Sequence, residues 1–166
     1  SYQEAKNKLY TLLEQSVKDR MVSDVPLGAF LSGGIDSSII VGLMSKLSDQ
    51  PVETFTIGFD EKEYDERDRA KLVADLNNTN HHAKVLDYRD ALGLIDHILM
   101  EMDEPFADSS VLPSYFVSDF AGEYVKVVLT GDAGDEMFMG YSKYLIDYYS
   151  RKYKKVPKFL RKGIIE

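Results

Sequence analysis

The sequence predicts an α/β fold with an open, mainly parallel sheet and helices on both faces. Segments with apolar residues at helical spacing alternate along the chain with short runs of β-branched and aromatic residues. Strands that alternate with helices in this way pair in parallel and are joined by right-handed crossovers. The length of 166 residues and the 44% hydrophobic content are typical of a single folded domain.

The first half of the chain contains two predicted helices and two predicted strands. Residues 3–22 carry apolar side chains at helical spacing, and residues 25–31 form an apolar run typical of a buried strand. In the helix predicted over 35–48, we expect one buried face made by Ile35, Ile39, Leu43, Met44 and Leu47. Pro51 then breaks the chain, and Val52–Phe59 is rich in the residues that favour strands.

The second half continues the alternation of helices and strands. A charged helix over 65–77, with Ala70, Val73 and Leu76 facing inward, precedes a short strand at His82–Leu86. Two helices follow, and then a strand in which five of the six residues are β-branched or leucine. These last elements are predicted over residues 88–101, 109–121, Val125–Thr130 and, for a closing helix, about 138–150.

A glycine-rich turn joins the first strand to the second helix. The strand ends at Leu31, Ser32-Gly33-Gly34 follows, and the helix begins at Ile35. Glycines let successive N–H groups point into one concavity, and the helix N-terminus adds partial positive charge, so this turn predicts a phosphate site. Further donors come from hydroxyls of the same run, at Ser32, Ser37 and Ser38.

Asp36 sets this turn apart from a simple anion site. A carboxylate repels phosphate unless a divalent cation lies between them, so the run predicts a nucleotide phosphate held with Mg²⁺. The Gly-Lys-Ser/Thr pattern of P-loop proteins and the Gly-x-Gly-x-x-Gly dinucleotide pattern are both absent. An ordinary strand-to-helix turn is the alternative interpretation.

Two acidic loops are expected at the same edge of the sheet as the glycine-rich turn. Residues 60–66 follow the second strand, and residues 131–136 follow the last strand, where three carboxylates lie close to Gly131 and Gly134. Open parallel sheets bind ligands beyond the carboxyl ends of their strands. Acidic loops facing a phosphate site suit a bridging Mg²⁺ or an approaching amine, whereas an acidic surface turn is the plain alternative.

Composition and charge exclude several other classes. The chain has no cysteine, so disulfides and thiolate metal sites are excluded, and a cytoplasmic protein is the simplest expectation. No apolar run is long enough to span a membrane, and the first residues do not form a signal peptide. The net charge of −8 argues against a nucleic-acid-binding surface. The basic tail, residues 151–166, is interpreted as a solvated segment leading into a further region, with RNA or an acidic partner as the alternative.

The turn at residues 32–37 resembles the Ser-Gly-Gly-x-Asp-Ser loop of the PP-loop ATP pyrophosphatase superfamily, which has the adenine nucleotide alpha hydrolase-like fold. The segment Asp103-Glu-Pro-Phe-Ala-Asp-Ser-Ser and the segment Thr130-Gly-Asp-Ala-Gly-Asp-Glu-Met-Phe-Met-Gly-Tyr are more specific. Together with Thr54–Phe59 and Tyr64-Asp-Glu, they resemble the synthetase domain of glutamine-dependent asparagine synthetase. The resemblance covers nearly all of the chain.

The resemblance implies a two-step reaction that uses ATP, Mg²⁺, aspartate and ammonia. The aspartate side-chain carboxylate attacks the α-phosphorus of ATP, which gives β-aspartyl-AMP and pyrophosphate. Ammonia then displaces AMP and gives asparagine. In the family, the glutaminase domain of the same parent chain supplies the ammonia from glutamine, and a homodimer is a further expectation. Related amidotransferases that act on another carboxylate, and a nucleotide-binding module without catalysis, are the alternatives.

The resemblance also implies a role for particular residues. Ser32, Gly33, Gly34, Ser37 and Ser38 would hold the pyrophosphate, while Asp36 and Asp135 correspond to the Mg²⁺-associated carboxylates. Asp132 falls where many members carry glutamate, implicated in orienting substrate or handling protons as ammonia attacks; aspartate keeps the charge but its side chain is shorter by one methylene group. The positions that correspond to adenosine contacts are Leu31, Ile57, Thr130 and Gly131.

The extent of the resemblance predicts that residues 1–166 are the N-terminal part of a synthetase domain. The glutaminase nucleophile of the family is a cysteine, which this sequence lacks, so the glutaminase domain is taken to be absent. The family's synthetase domain also continues beyond the segment that matches residue 166. The chain by itself is therefore expected to make no asparagine.

Overall fold

The computed structural model describes residues 1–60, 65–104, 108–157 and 161. Parts of the first acidic loop, of the Asp-Glu-Pro segment and of the basic tail therefore lie outside the described residues. The elements in chain order are α1 (Tyr2–Arg20), β1 (Leu27–Phe30), α2 (Ile35–Leu47), β2 (Glu53–Phe59), α3 (Arg67–Leu76), β3 (Asn80–Leu86), α4 (Tyr88–Glu101), α5 (Val111–Gly122), β4 (Val127–Leu129), α6 (Gly134–Phe138) and α7 (Ser142–Lys154).

The four strands form one sheet in the order β3-β2-β1-β4, and every pair is parallel. Gly28 of β1 is in register with Glu53 on one side and with Val128 on the other. This arrangement confirms the predicted parallel sheet. It also places β1 between β2 and β4, so the turn after β1 emerges at the middle of the carboxyl edge.

Helices cover both faces of the sheet, as predicted, because side chains along each strand alternate between them. Ala29 and Leu31 belong to one core cluster, which includes Val17 of α1, residues of α2 and Ala70 of α3. Phe55 belongs to a second cluster, with α5 and with Phe30 packed against it. The rings of Phe55 and Phe120 meet edge to face at 5.9 Å.

The buried faces of α2 and α3 differ from the predicted ones. Leu43 and Met44 are buried as predicted, but Ile35 and Ile39 are 79% and 43% exposed, and Val41, which the predicted face did not include, is fully buried. On α3, Leu76 is exposed and Ala74 is buried. Hydrophobic periodicity locates a helix, but it does not determine how the helix is rotated about its axis when it packs on the sheet.

The closing helix predicted over about 138–150 is wrong at its start. The chain instead forms the five-residue helix α6, which overlaps the end of the predicted acidic turn, and α7 begins only at Ser142. The break falls at Met139, whose φ is +60°, and the Gly140 amide donates to the Asp135 carbonyl at 3.0 Å. The described residues group into two compact units, Ser1–Gly131 and Asp132–Glu166.

In the described part of the chain, no helix combines the length and the apolar character needed to cross a membrane.

His81 is a partly buried titratable group at the start of β3. Its Nδ1 lies 3.0 Å from Thr54 Oγ1, and Nε2 is buried without a partner among the described residues. Burial lowers the pKa of His81 below its ordinary value of about 6.5. The unfolded chain therefore takes up this proton more readily, so the stability that the neutral imidazole contributes is lost as the pH falls below that value.

We expect acidification from pH 7.5 to 5.5 to destabilise the wild type more than His81→Gln. The limiting slope for one proton is about 1.4 kcal/mol per pH unit. Urea unfolding at both pH values measures the difference, with His97→Gln on α4 as the matched control. Identical pH dependence in the wild type and His81→Gln would contradict the effect of burial on this group.

Candidate functional site

The start of the glycine-rich turn is held against the neighbouring strand. The Leu31 amide donates to the Phe55 carbonyl at 2.9 Å, and the Leu31 carbonyl accepts a hydrogen bond from Thr56 Oγ1. The Leu31 side chain is 1% exposed and lies in the core. The backbone that leads into the turn is therefore fixed at Leu31, directly after β1.

Gly33 is the position in this turn that requires glycine. Its φ is +75°, in the left-handed region that side-chain-bearing residues rarely adopt. A Cβ added to Gly33 would lie 2.6 Å from Arg69 Cβ and 2.7 Å from the Ala70 nitrogen. The first turn of α3 therefore packs directly on the glycine-rich turn.

The N-terminus of α2 leaves backbone donors without partners. Gly34 caps the helix and offers no side chain to its N–H groups. The Ser37 and Ser38 hydroxyls donate instead to the Gly34 carbonyl, at 3.3 and 2.6 Å. Within the described residues, the Gly33, Ile35 and Asp36 amides donate to no protein acceptor. Such donors at the positive end of a helix are suited to an anion.

Hydrogen bonds of two serine hydroxyls connect the residues of the turn. The Ser32 amide donates to Ser37 Oγ at 3.3 Å, and the two hydroxyls lie 3.0 Å apart. Ser32 Oγ also accepts from the Gly34 amide at 3.2 Å. The predicted phosphate ligands Ser32, Gly33, Gly34, Ser37 and Ser38 are thus part of one connected turn.

The chain after β4 meets this turn. A Cβ added to Gly131 would lie 2.6 Å from the Ser37 nitrogen and 3.0 Å from Asp36 Cβ. The structure therefore brings Gly131, and with it the end of the strand that Thr130 follows, against the first turn of α2. The Asp36 carboxylate is partly exposed and makes no hydrogen bond or ion pair with any described residue.

Ile57 lies on β2, the strand between β1 and β3. It is half-buried on β2, in register with Lys84 of β3, and shares a strand face with Phe55. That face is the one covered by α5. The structure thus places Ile57 on the α5 side of the sheet, whereas α3 packs on the turn at Gly33.

Asp132 and Asp135 belong to the second compact unit, and their predicted roles stay predictions. Within that unit, the Asp135 carboxylate packs against Gly140. The Tyr141 hydroxyl donates to Glu136 at 2.6 Å, which lowers the pKa of Glu136 and raises that of Tyr141 to about 12. Across the described residues, no group of three or more histidine, aspartate or glutamate side chains gathers as a metal site.

Sequence reasoning missed two arginines at the start of α3. Arg67 binds Asp65 through two hydrogen bonds of 2.8 Å, which lowers the pKa of that carboxyl group. Arg69, whose Cβ faces Gly33, makes no hydrogen bond or ion pair with the described part of the chain. One sequence feature could have indicated Arg69: it lies in the first turn of a helix that follows an acidic loop, and that loop was predicted at the same edge of the sheet as the glycine-rich turn.

Comparison with known sequences points to one family. The sequence model described as asparagine synthase matches residues 8–165. A Methanocaldococcus jannaschii protein named as a glutamine-hydrolyzing asparagine synthetase is 50% identical over 151 residues, which cover 90% of this chain and 29% of that protein. Asparagine synthetase 1 of Bacillus subtilis is 35% identical, covering 90% of this chain and 24% of its own length.

The curated relatives are thus much longer than this chain, which spans about a quarter of their length. Among solved structures, the NMN synthetase of Francisella tularensis has a TM-score of 0.53 at 19% identity, covering 85% of this chain and 58% of that one. The NH3-dependent NAD synthetase of Campylobacter jejuni has a TM-score of 0.50 at 17% identity, covering 86% and 61%. These likenesses show that the fold of this chain is similar to the fold of these two synthetases.

Proposed function

Because this chain belongs to the asparagine synthase family, we propose that it forms the ATP-binding part of an enzyme that makes asparagine from aspartate. The observation that carries the proposal is the turn between β1 and α2. A phosphate site there is supported by amides that donate to no acceptor among the described residues, by the left-handed glycine and by the positive end of α2. In this proposal the site holds the β- and γ-phosphates of ATP.

The residues of the turn fit Mg²⁺ as well as phosphate. Mg²⁺ in nucleotide sites takes one or two carboxylates, and the substrate phosphates and waters complete its shell. Asp36 supplies a partly exposed carboxylate without a protein partner in the described residues, directly beside the unpartnered amides. When bound, Mg²⁺ neutralises phosphate charge. Asp36 would hold it, and Asp135 is the second proposed carboxylate.

The proposed reaction requires positioning and charge stabilisation from the protein rather than a protein nucleophile. The amides of the turn hold the pyrophosphate leaving group. The aspartate carboxylate then attacks the α-phosphorus in line, and the bond from this phosphorus to the bridging oxygen breaks. Ammonia next attacks the acyl carbon of β-aspartyl-AMP, and AMP leaves. Asp132 is proposed to orient the acyl group or to take a proton from the attacking ammonia.

One further proposal follows from the names of the relatives. The relatives are named as glutamine-hydrolyzing, so we propose that a glutaminase domain of the same parent chain delivers the ammonia. A homodimer and a cytoplasmic location complete the proposal. Leu31, Ile57, Thr130 and Gly131 are proposed to contact adenosine, Leu31 through its backbone because its side chain is buried.

A stable acyl-AMP analogue tests which carboxylate is activated. We expect the sulfamoyl analogue of β-aspartyl-AMP to bind more tightly than AMP, and more tightly than the matching γ-glutamyl analogue. Calorimetry with the three ligands measures the order. Tighter binding of the glutamyl analogue would favour another amidotransferase, and equal binding of all three would favour a nucleotide module without catalysis.

Arg69 is a further cation that this site offers to pyrophosphate. Its Cβ lies beside Gly33, and its guanidinium has no carboxylate partner in the described residues, unlike that of Arg67. A charge-assisted hydrogen bond contributes about 1.5–3 kcal/mol. We expect Arg69→Gln to weaken ATP binding about tenfold and to leave AMP binding unchanged, because AMP lacks the β- and γ-phosphates.

Titration calorimetry with ATP and AMP measures the effect of Arg69→Gln. Arg69→Lys is the charge-preserving control and should retain most of the affinity for ATP. An equal loss for ATP and AMP in Arg69→Gln would show a general disturbance of the turn, and unchanged ATP binding would remove Arg69 from the site.

A further inference from the structure

A cavity of about 450 Å³ lies between the β2–β3 edge of the sheet and helices α4 and α5. Its size is within the range of small-molecule sites, about 300–1,000 Å³. Apolar side chains from all four elements line it: Ile57, Leu86, Leu94 and Phe116. The glycine-rich turn does not contribute to this lining.

Two cations also line the cavity. Arg89, in the first turn of α4, makes no side-chain hydrogen bond or ion pair with the described residues. Lys84 lies over the Phe120 ring at 5.4 Å, and its contact with Glu123 is long, at 4.0 Å, and exposed. The described lining residues include no carboxylate. The cavity therefore combines apolar walls with two positive charges, of which that of Arg89 has no carboxylate partner among the described residues.

Gly93 of α4 borders the cavity and puts no side chain into it. It lies in the interior of α4, where glycine costs about 1 kcal/mol relative to alanine. A Cβ added to Gly93 meets no described atom within 4 Å, so close packing does not require glycine there. Gly93 lines the cavity, and a side chain at this position would enter open space beside the cations.

We propose that this cavity is a binding site for a small organic carboxylate with an apolar body, separate from the glycine-rich turn. The carboxylate pairs with Arg89 and Lys84, and the apolar body packs against Phe116 and Leu94. This site goes beyond the proposed ATP site, since β2, β3, α4 and α5 line it, whereas the proposed ATP site is built on the turn between β1 and α2. Ile57 is the one residue it shares with the proposed adenosine contacts.

The test uses benzoate as the probe and benzylamine as its charge-reversed counterpart. In ¹H–¹⁵N spectra of the chain, we expect benzoate to shift the Gly93 and Arg89 amides saturably, and benzylamine to leave them unchanged. Excess inorganic pyrophosphate should not displace benzoate. Displacement by pyrophosphate would overturn the separateness of this site from the glycine-rich turn, and saturable binding of benzylamine would overturn the proposed anion preference.

Two variants and two matched controls locate the site. Gly93→Leu fills the cavity and should weaken benzoate binding at least tenfold, whereas Gly122→Leu, another helical glycine with open space around it, should not. Arg89→Gln should weaken binding about 10- to 100-fold, since a hydrogen bond to a charged group is lost, whereas Arg20→Gln on α1 should not. Unchanged affinity in Arg89→Gln, which leaves the helix intact, would overturn the proposal.

Discussion

Replacement of Gly33 by alanine is expected to unfold the glycine-rich turn between β1 and α2 and to abolish the proposed nucleotide binding. Alanine at a φ of +75° costs about 1–2 kcal/mol. The added methyl group would also lie 2.7 Å from the Ala70 nitrogen, a backbone atom, and such overpacking costs about 1–3 kcal/mol more. We therefore expect Gly33→Ala to lower the free energy of unfolding by about 2–5 kcal/mol.

Urea unfolding and ATP titration of Gly33→Ala measure the two effects. Gly34→Ala is the matched control, because Gly34 has a φ of −71° and the nearest atom to its added Cβ is the Ser32 hydroxyl oxygen, at 3.2 Å. A change at this capping position should cost about 1 kcal/mol or less. Equal destabilisation of the two variants would mean that Gly33 has no special role.

Replacement of Gly131 by alanine is the second change with a large expected effect. The new methyl group would overlap the backbone at the start of α2, 2.6 Å from the Ser37 nitrogen and 2.9 Å from the Asp36 carbonyl carbon. Neither atom is the end of a flexible side chain, so β4 and α2 must move apart. We expect a loss of about 1–3 kcal/mol in stability and of more than tenfold in ATP affinity.

The same two measurements apply to Gly131→Ala, with Gly122→Ala as the control. Gly122 ends α5, its added Cβ meets no described atom within 4 Å, and alanine favours the helix. Gly122→Ala should keep both stability and ATP binding. Full ATP affinity in Gly131→Ala would show that the contact between the end of β4 and α2 is not needed for the site.

Local pattern was sufficient to predict the sheet and the glycine-rich turn between β1 and α2. β2 carries β-branched and aromatic residues along its whole length, and Ser32–Ser38 combines glycines, hydroxyls and a carboxylate within one strand-to-helix connection. Such signals lie within a few neighbouring residues, so they can be recognised without the fold. The contact of Gly131 with α2 was accessible more indirectly, through the rule that parallel strands present their following loops at one edge.

Features that depend on packing between distant segments were not predictable in the same way. The rotation that exposes Ile35 and Ile39 depends on how α2 meets the sheet, and periodicity alone carries no such information. The approach of Arg69 to Gly33 joins residues 36 positions apart. The short helix α6 begins after Ala133, whose φ is +70°, a conformation that alanine seldom adopts and that its sequence does not signal.

Calorimetric titration of ATP into wild type and Asp36→Ala, each with and without Mg²⁺, tests the central claim most directly. The claim is that the turn binds ATP phosphates and that Asp36 holds Mg²⁺ beside them. The prediction is that Mg²⁺ strengthens ATP binding in the wild type, that Asp36→Ala loses this Mg²⁺-dependent part, and that the weaker Mg²⁺-independent binding to the turn remains. An unchanged Mg²⁺ dependence in Asp36→Ala, with its fold intact, would contradict the account.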